Sequence, residues 1–183
     1  MNLFILILAF ITSCGNTNDT TNSTPPASVT EDETSTTQDM IVGKFQKEDL
    51  QKAPFATWFN QGYEEYTPSA EAIATIKKNI SQYEIVGFIG TWCPDSRREI
   101  PKFYKILDEA GYDMSKLTMV GVTRGKSTPE NLEEGYDMHR VPTFIFMKDG
   151  KEVNRFVEYA VESTEKDIAK IVSGTDYKNS YAQ

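Results

Sequence analysis

Ile85-Val86-Gly87-Phe88-Ile89-Gly90-Thr91-Trp92-Cys93-Pro94-Asp95-Ser96-Arg97-Arg98-Glu99-Ile100-Pro101 is the stretch on which the fold turns. It opens as a short apolar run, of the kind that forms a buried strand. From Asp95 to Ala110 it reads as a helix, with Ile100, Phe103, Ile106 and Leu107 at apolar positions. Pro101 falls inside that helix and should kink it. Cys93 therefore stands at a strand-to-helix junction. A cysteine there faces unpaired backbone N–H groups and the positive end of the helix dipole, and both favour a thiolate. Arg97 and Arg98 add positive charge, which Asp95 and Glu99 oppose. Trp92-Cys93-Pro94-Asp95-Ser96 thus offers an attacking sulfur, with a serine hydroxyl where a second sulfur would close a disulfide.

Working outward, Thr67-Pro68-Ser69 sets up a helix start, and Ile73, Ile76 and Ile80 follow at helical spacing. Upstream, Glu48 to Tyr66 is rich in aromatics and reads as a helical extension broken near Pro54 and Gly62. Its aromatics are expected to be packing residues. Downstream, Leu117–Val122 and Val141–Met147 read as buried strands. Lys148-Asp149-Gly150-Lys151 is a hairpin signal leading into a strand over Glu152–Val157. Arg124 to Gly135 is polar and reads as a loop with room for a short helix. Ser163 to Val172 reads as a last amphipathic helix, ended by Gly174. The order is α/β, mixing a parallel βαβ unit with an antiparallel hairpin.

This order and these motifs resemble the thioredoxin-like superfamily, over roughly residues 70–173. Trp92-Cys93 matches the redox junction, and Pro101 stands eight residues after the cysteine, at the position of the family's helix-kinking proline. Val141-Pro142-Thr143-Phe144 resembles the family's Ile-Pro-Thr segment, whose proline has a cis peptide bond and faces the active-site sulfur. The Lys-Asp-Gly hairpin resembles the family's turn. The resemblance implies a central mixed sheet flanked by helices. It also implies catalytic roles for Cys93, Ser96 and Pro142, and substrate contacts from Trp92, Pro94, Val141 and Thr143.

Three departures shape the expected chemistry. Ser96 makes this a monothiol Cys-x-x-Ser variant, so a mixed disulfide at Cys93 waits for an outside thiol. The Ser96 hydroxyl is expected to donate to the Cys93 sulfur. The family's buried acid six residues before the cysteine is here Gly87, and a base serving a second cysteine is not needed without one. Cys93 and Pro142 are 49 residues apart, a few more than in the smallest thioredoxins, and the excess is assigned to the Arg124–Gly135 loop. His139, the only histidine, lies close enough in sequence to Pro142 to be considered as an activating partner for Cys93. A lone histidine is more often a surface or hydrogen-bonded residue. No cofactor is expected, and one cysteine with one histidine makes no zinc site.

The N-terminus points to location. Leu3 to Ile11 is an unbroken apolar run, too short to span a bilayer but of signal-peptide length. Ile11-Thr12-Ser13-Cys14 resembles the lipobox of bacterial lipoproteins, in which the cysteine is cleaved to the new N-terminus and acylated. The basic residues usual before the apolar run are absent, and a plain secretory signal is the main alternative. Residues 1–13 are thus expected to be a lipoprotein signal peptide and residues 14–39 a disordered tether, dense in Thr, Ser, Asn, Asp and Pro, with Val29 its only large apolar residue. Residues 40–183 form the folded domain. Lipid on Cys14 would anchor the protein to a membrane of the bacterial cell envelope, outside the cytoplasm. Cys93 would then be the only free cysteine of the two in the chain.

The chain's 183 residues carry a net charge of −8. Residues 1–39 contribute five acids and no Lys or Arg, which leaves 19 basic and 22 acidic residues beyond them. A nearly balanced domain gives no reason to expect nucleic acid. The expected partners are protein or small-molecule thiols and disulfides, and the expected state is a monomer. The expected function is membrane-anchored thiol-disulfide exchange through one cysteine. The alternative is a non-catalytic binding or chaperone-like module on the same fold, and a dimer joined through Cys93 is a third possibility.

Overall fold

The computed structural model describes residues 40–182. The readings of residues 1–39, including lipidation at Cys14, lie outside them. Five strands form one mixed sheet: β1 (Gly43–Phe45), β2 (Glu84–Ile89), β3 (Leu117–Gly121), β4 (Thr143–Lys148) and β5 (Lys151–Val157), in the order β1-β3-β2-β4-β5. β2 and β3 are parallel, and the other pairings are antiparallel. The β4–β5 hairpin turns at Asp149 (φ 52°) and Gly150 (φ 73°). Two successive positive φ values are what a tight two-residue hairpin demands.

Period-2 alternation divides the strands between two cores. Ile85 and Ile89 of β2, Met119 of β3, and Phe144 and Phe146 of β4 join the larger core. Every helix contributes to that core: α1 (Lys47–Leu50), α2 (Ala56–Glu65), α3 (Ala70–Asn79), α4 (Pro94–Ala110) and α5 (Thr164–Ser173). Phe103 of α4 stacks on Phe144, with ring centroids 3.8 Å apart. The alternate positions Phe88, Val120 and Ile145 face the smaller core with Cys93, Val122 and Val141. No helix body covers this second core among the described residues. Leu132, Tyr136 and Met138 of the long loop between β3 and β4 cover it instead.

The expected helices form close to their expected bounds. Ser69 caps α3, accepting from the Ala72 N–H at 3.5 Å, and Gly174 ends α5 in the left-handed region. The aromatic segment breaks at Pro54 but runs straight through Gly62, where a second break was expected. A Cβ at Gly62 would lie 3.0 Å from Pro101 Cγ. The missing side chain lets α2 approach α4 at Pro101, so this glycine serves packing and does not end the helix. Residues 124–135 form turns without a helix. Thr128 and Glu133 brace them: Thr128 donates to the Glu133 carboxylate through its N–H at 3.0 Å and its hydroxyl at 2.8 Å.

One buried acid, Glu99, ties α4 to α5, and another, Asp167, ties α5 to the segments on either side of it. Glu99 is 2% exposed and accepts from Thr164 Oγ1 at 2.6 Å, Arg98 Nε at 2.7 Å and Lys102 Nζ at 3.3 Å. Asp167 is fully buried and accepts the N–H groups of Val161 and Glu162 and the Tyr177 hydroxyl. A buried carboxylate survives only with such partners.

Candidate functional site

The end of β2 delivers Gly90-Thr91-Trp92 to the start of α4, and Cys93 is that helix's N-cap in extended backbone (φ −87°, ψ 126°). Pro94 follows at the first turn, where its missing N–H costs nothing. The Cys93 backbone is pinned on both sides: its N–H donates to Gly90 C=O at 2.8 Å, and its C=O accepts from Arg97 N–H at 3.0 Å. The residue is 7% exposed. Its Sγ donates to the Val141 carbonyl at 3.4 Å. The Val141–Pro142 peptide is cis. Two segments 48 positions apart thus meet at the sulfur.

The remaining expected site residues gather here, in different states. Trp92 is partly buried and donates its indole N–H to Val122 C=O at 2.9 Å. A Cβ at Gly90 would lie 2.6 Å from the Trp92 ring, so only glycine leaves room for the indole beside that strand end. Pro94 is exposed, while Val141 and Pro142 are buried. Thr143 is 1% exposed and spends its hydroxyl on the Arg140 carbonyl at 2.7 Å, bracing the loop before the cis bond. Ser96 is fully buried, and its Oγ accepts the Gly90 N–H at 3.1 Å. The expected Ser96-to-Cys93 bond is not among the hydrogen bonds of the described residues. The serine instead satisfies the amide of Gly90, just past the end of β2, which burial would otherwise leave unpaired.

His139 has 80% of its side chain exposed and pairs with Asp137 at 2.8 Å. It makes no hydrogen bond to Cys93. Gly87 sits between Met119 and Phe144 in the strand register. A Cβ there would lie 2.4 Å from Met119 Sδ and 3.2 Å from Phe144 Cδ1. The two large neighbours close over the strand, so the place of the family's acid is filled by side chains from either side.

Sequence reading missed Val122, Arg124 and Glu158. The Arg124 guanidinium lies 5.4 Å from the Trp92 ring centroid. Glu158 adopts φ 64° and donates its N–H to the Pro142 carbonyl at 2.7 Å. No spacing in the chain marks either; both follow from which loops end on the same side of the sheet. Arg98 on α4 pairs with Asp95 at 2.8 Å and Glu99 at 2.7 Å. Burial works against its charge, but those two carboxylates more than offset this and hold the guanidinium above its usual range. Among the described residues no group of three or more His, Cys, Asp and Glu could hold a metal ion. No described helix is long and apolar enough to cross a membrane.

A lone cysteine capping the helix after a central strand, set against a cis-proline loop in a β1-β3-β2-β4-β5 sheet, defines a thioredoxin-type fold. The family model described as thioredoxin matches residues 47–171, and the chain belongs to the thioredoxin family. A TPR repeat-containing thioredoxin from Arabidopsis thaliana is 29% identical over 104 residues, which is 57% of this chain and 26% of that protein. The chain therefore matches about a quarter of that relative's length. Among solved structures, Fasciola hepatica thioredoxin is 25% identical, covering 58% of this chain and 93% of that one at a TM-score of 0.37. A protein of unknown function from Pseudomonas aeruginosa is 12% identical, covering 66% and 82% at a TM-score of 0.48.

Proposed function

We propose that this thioredoxin-like protein performs thiol-disulfide exchange through Cys93 alone, anchored by lipid on Cys14 to a bacterial envelope membrane and held off it by residues 14–39. The observation that carries the reading is the Cys93 sulfur, held at the N-terminus of a 17-residue helix and 3.4 Å from the Val141 carbonyl beside cis-Pro142. Deprotonated, Cys93 attacks a disulfide R–S–S–R′, forming Cys93–S–S–R and expelling R′–S⁻. Ser96 has no sulfur to expel R, so an outside thiolate R″–S⁻ attacks. It releases R–S–S–R″ and returns Cys93 to its thiolate. The net reaction exchanges R′ for R″, and a second outside thiol reduces the product fully. Val141 and Pro142 would align the client strand, with Trp92 as an apolar rim.

The test compares wild type with Ser96→Cys in reduction of a protein disulfide. Wild type should turn over slowly unless a small thiol is added, and Ser96→Cys should be faster without one. Equal rates would sink the single-sulfur mechanism. The near-complete burial of Cys93 favours a second reading, a binding or chaperone-like module in which the sulfur is idle. On that reading Cys93→Ser keeps full client binding and wild type shows no thiol-dependent turnover.

A further inference from the structure

Resting on the exchange reading, we propose that the outside thiol completing the cycle is a small one bearing carboxylate groups, recognised by Arg97 and Arg124. The chain has five arginines. Three are neutralised: Arg98 by Asp95 and Glu99, Arg140 by Glu158 at 3.2 Å, and Arg155 by Glu152 at 2.5 Å. Arg97 and Arg124 have no carboxylate within ion-pair distance among the described residues. Both are exposed, and both border the reactive dipeptide. Arg97 reaches from the first turn of α4, donating Nε to Thr91 C=O at 2.6 Å with its guanidinium 6.0 Å from the Trp58 ring. Arg124 reaches from the loop after β3 and lies over Trp92.

A guanidinium carries five N–H donors in a fork that matches a carboxylate. Of the ten on this pair, only Arg97 Nε has a protein acceptor among the described residues. Each guanidinium also lies against a tryptophan ring, a contact that uses none of its donors. Asp95, the nearest acid in sequence, is already held by Arg98. A chain of net charge −8 thus presents two uncompensated cations on the Thr91-Trp92 segment that leads into its one described thiol. The 7% exposure of Cys93 favours a slender thiol over a bulky one. The resolving step is R″–S⁻ attack on Cys93–S–S–R, giving R–S–S–R″ and the Cys93 thiolate, with the carboxylate of R″ on the guanidiniums.

The experiment loads Cys93 of the purified protein with hydroxyethyl disulfide and measures its release by 3-mercaptopropionate and by 2-mercaptoethanol. The rate ratio of the anionic to the neutral thiol is divided by the same ratio on free hydroxyethyl disulfide, which removes the intrinsic difference between the thiols. Wild type should favour the anion by about two- to five-fold per arginine, the range of an exposed ion pair. Arg124→Gln and Arg97→Gln should each lower the normalised ratio, and the double variant should bring it to unity. Arg124→Lys should retain part of it, and salt at about 1 M should flatten it. A wild-type ratio of one, or a ratio unmoved in the double variant, would overturn the inference. Failure of Cys93 to form the mixed disulfide would overturn the exchange reading, and this inference with it.

Discussion

Gly87 is where the fold and the redox chemistry make opposite demands, and its replacement gives a sharp test. The strand register sets it between Met119 of β3 and Phe144 of β4 on the helix-covered face. Phe144 is itself locked, stacked on Phe103 at 3.8 Å. Gly87→Ala must displace the Met119 thioether, whose sulfur lies 2.4 Å from the new Cβ. Overpacking of this kind costs about 1–3 kcal/mol, and the loss of glycine's unfolded-state freedom returns about 0.4–1 kcal/mol. The net expectation is a loss of about 1–2 kcal/mol. Gly87→Asp, which restores the family's acid, adds a buried carboxyl with no donor in reach. Neutralised, it costs about 1–3 kcal/mol more, for a total of about 2–5 kcal/mol, to which neutral pH adds the work of protonating it. The assay is urea unfolding of both variants at constant m-value. Burial raises the carboxyl's folded pKa, so the work of protonating it is added above the unfolded carboxyl range and fades as pH falls through that range, leaving the cost of the neutral group. The gap between Asp and Ala should therefore narrow near pH 3. A Gly87→Asp variant as stable as Gly87→Ala at neutral pH would refute the desolvation argument. One as stable as wild type would refute the packing argument as well.

Two further outcomes follow from other parts of the chain. The Glu165 carboxyl is opposed by burial, yet hydrogen bonds from Tyr66 and neighbouring groups hold it below the usual carboxylate range. Its contribution is therefore present above the unfolded glutamate pKa and is lost as pH falls through the lower folded value. Tyr66→Phe should cost about 1.5–3 kcal/mol at pH 7, and urea unfolding should show the deficit shrinking towards pH 3. At the other end of the chain, Cys14→Ser should move the protein from the membrane to the soluble fraction of a bacterial host. Retention in the membrane would refute lipid anchoring through that residue.

The apolar runs at Ile85–Ile89, Leu117–Val122 and Val141–Met147 became strands because four or five consecutive apolar residues can be satisfied only between two covered faces. The helix after Cys93 was equally legible, and Pro101 did not obscure it. β1 was not legible. It has three residues, and its strand character comes from pairing with β3. That pairing needs Gly121, where a Cβ would lie 2.2 Å from the Ile41 carbonyl oxygen. Gly62 misled for the same reason: a glycine reads as a break until the neighbouring helix that needs its missing side chain is known.

Sequence alone determined the strand-to-helix junction at Cys93, the proline loop meant to face it, and the lack of a second sulfur. These are local patterns, carried by periodicity, residue type and short spacing. Tertiary structure decided what each polar atom at the site does. Ser96 turns to the Gly90 amide because a buried N–H must be paired, and no spacing rule could rank that amide above the nearby sulfur. Arg124 comes to rest on Trp92, 32 positions away in the chain, because the loop after β3 ends on the same side of the sheet as the end of β2. Contacts between distant segments depend on how the strands are ordered, and that order exists only once the sheet has formed.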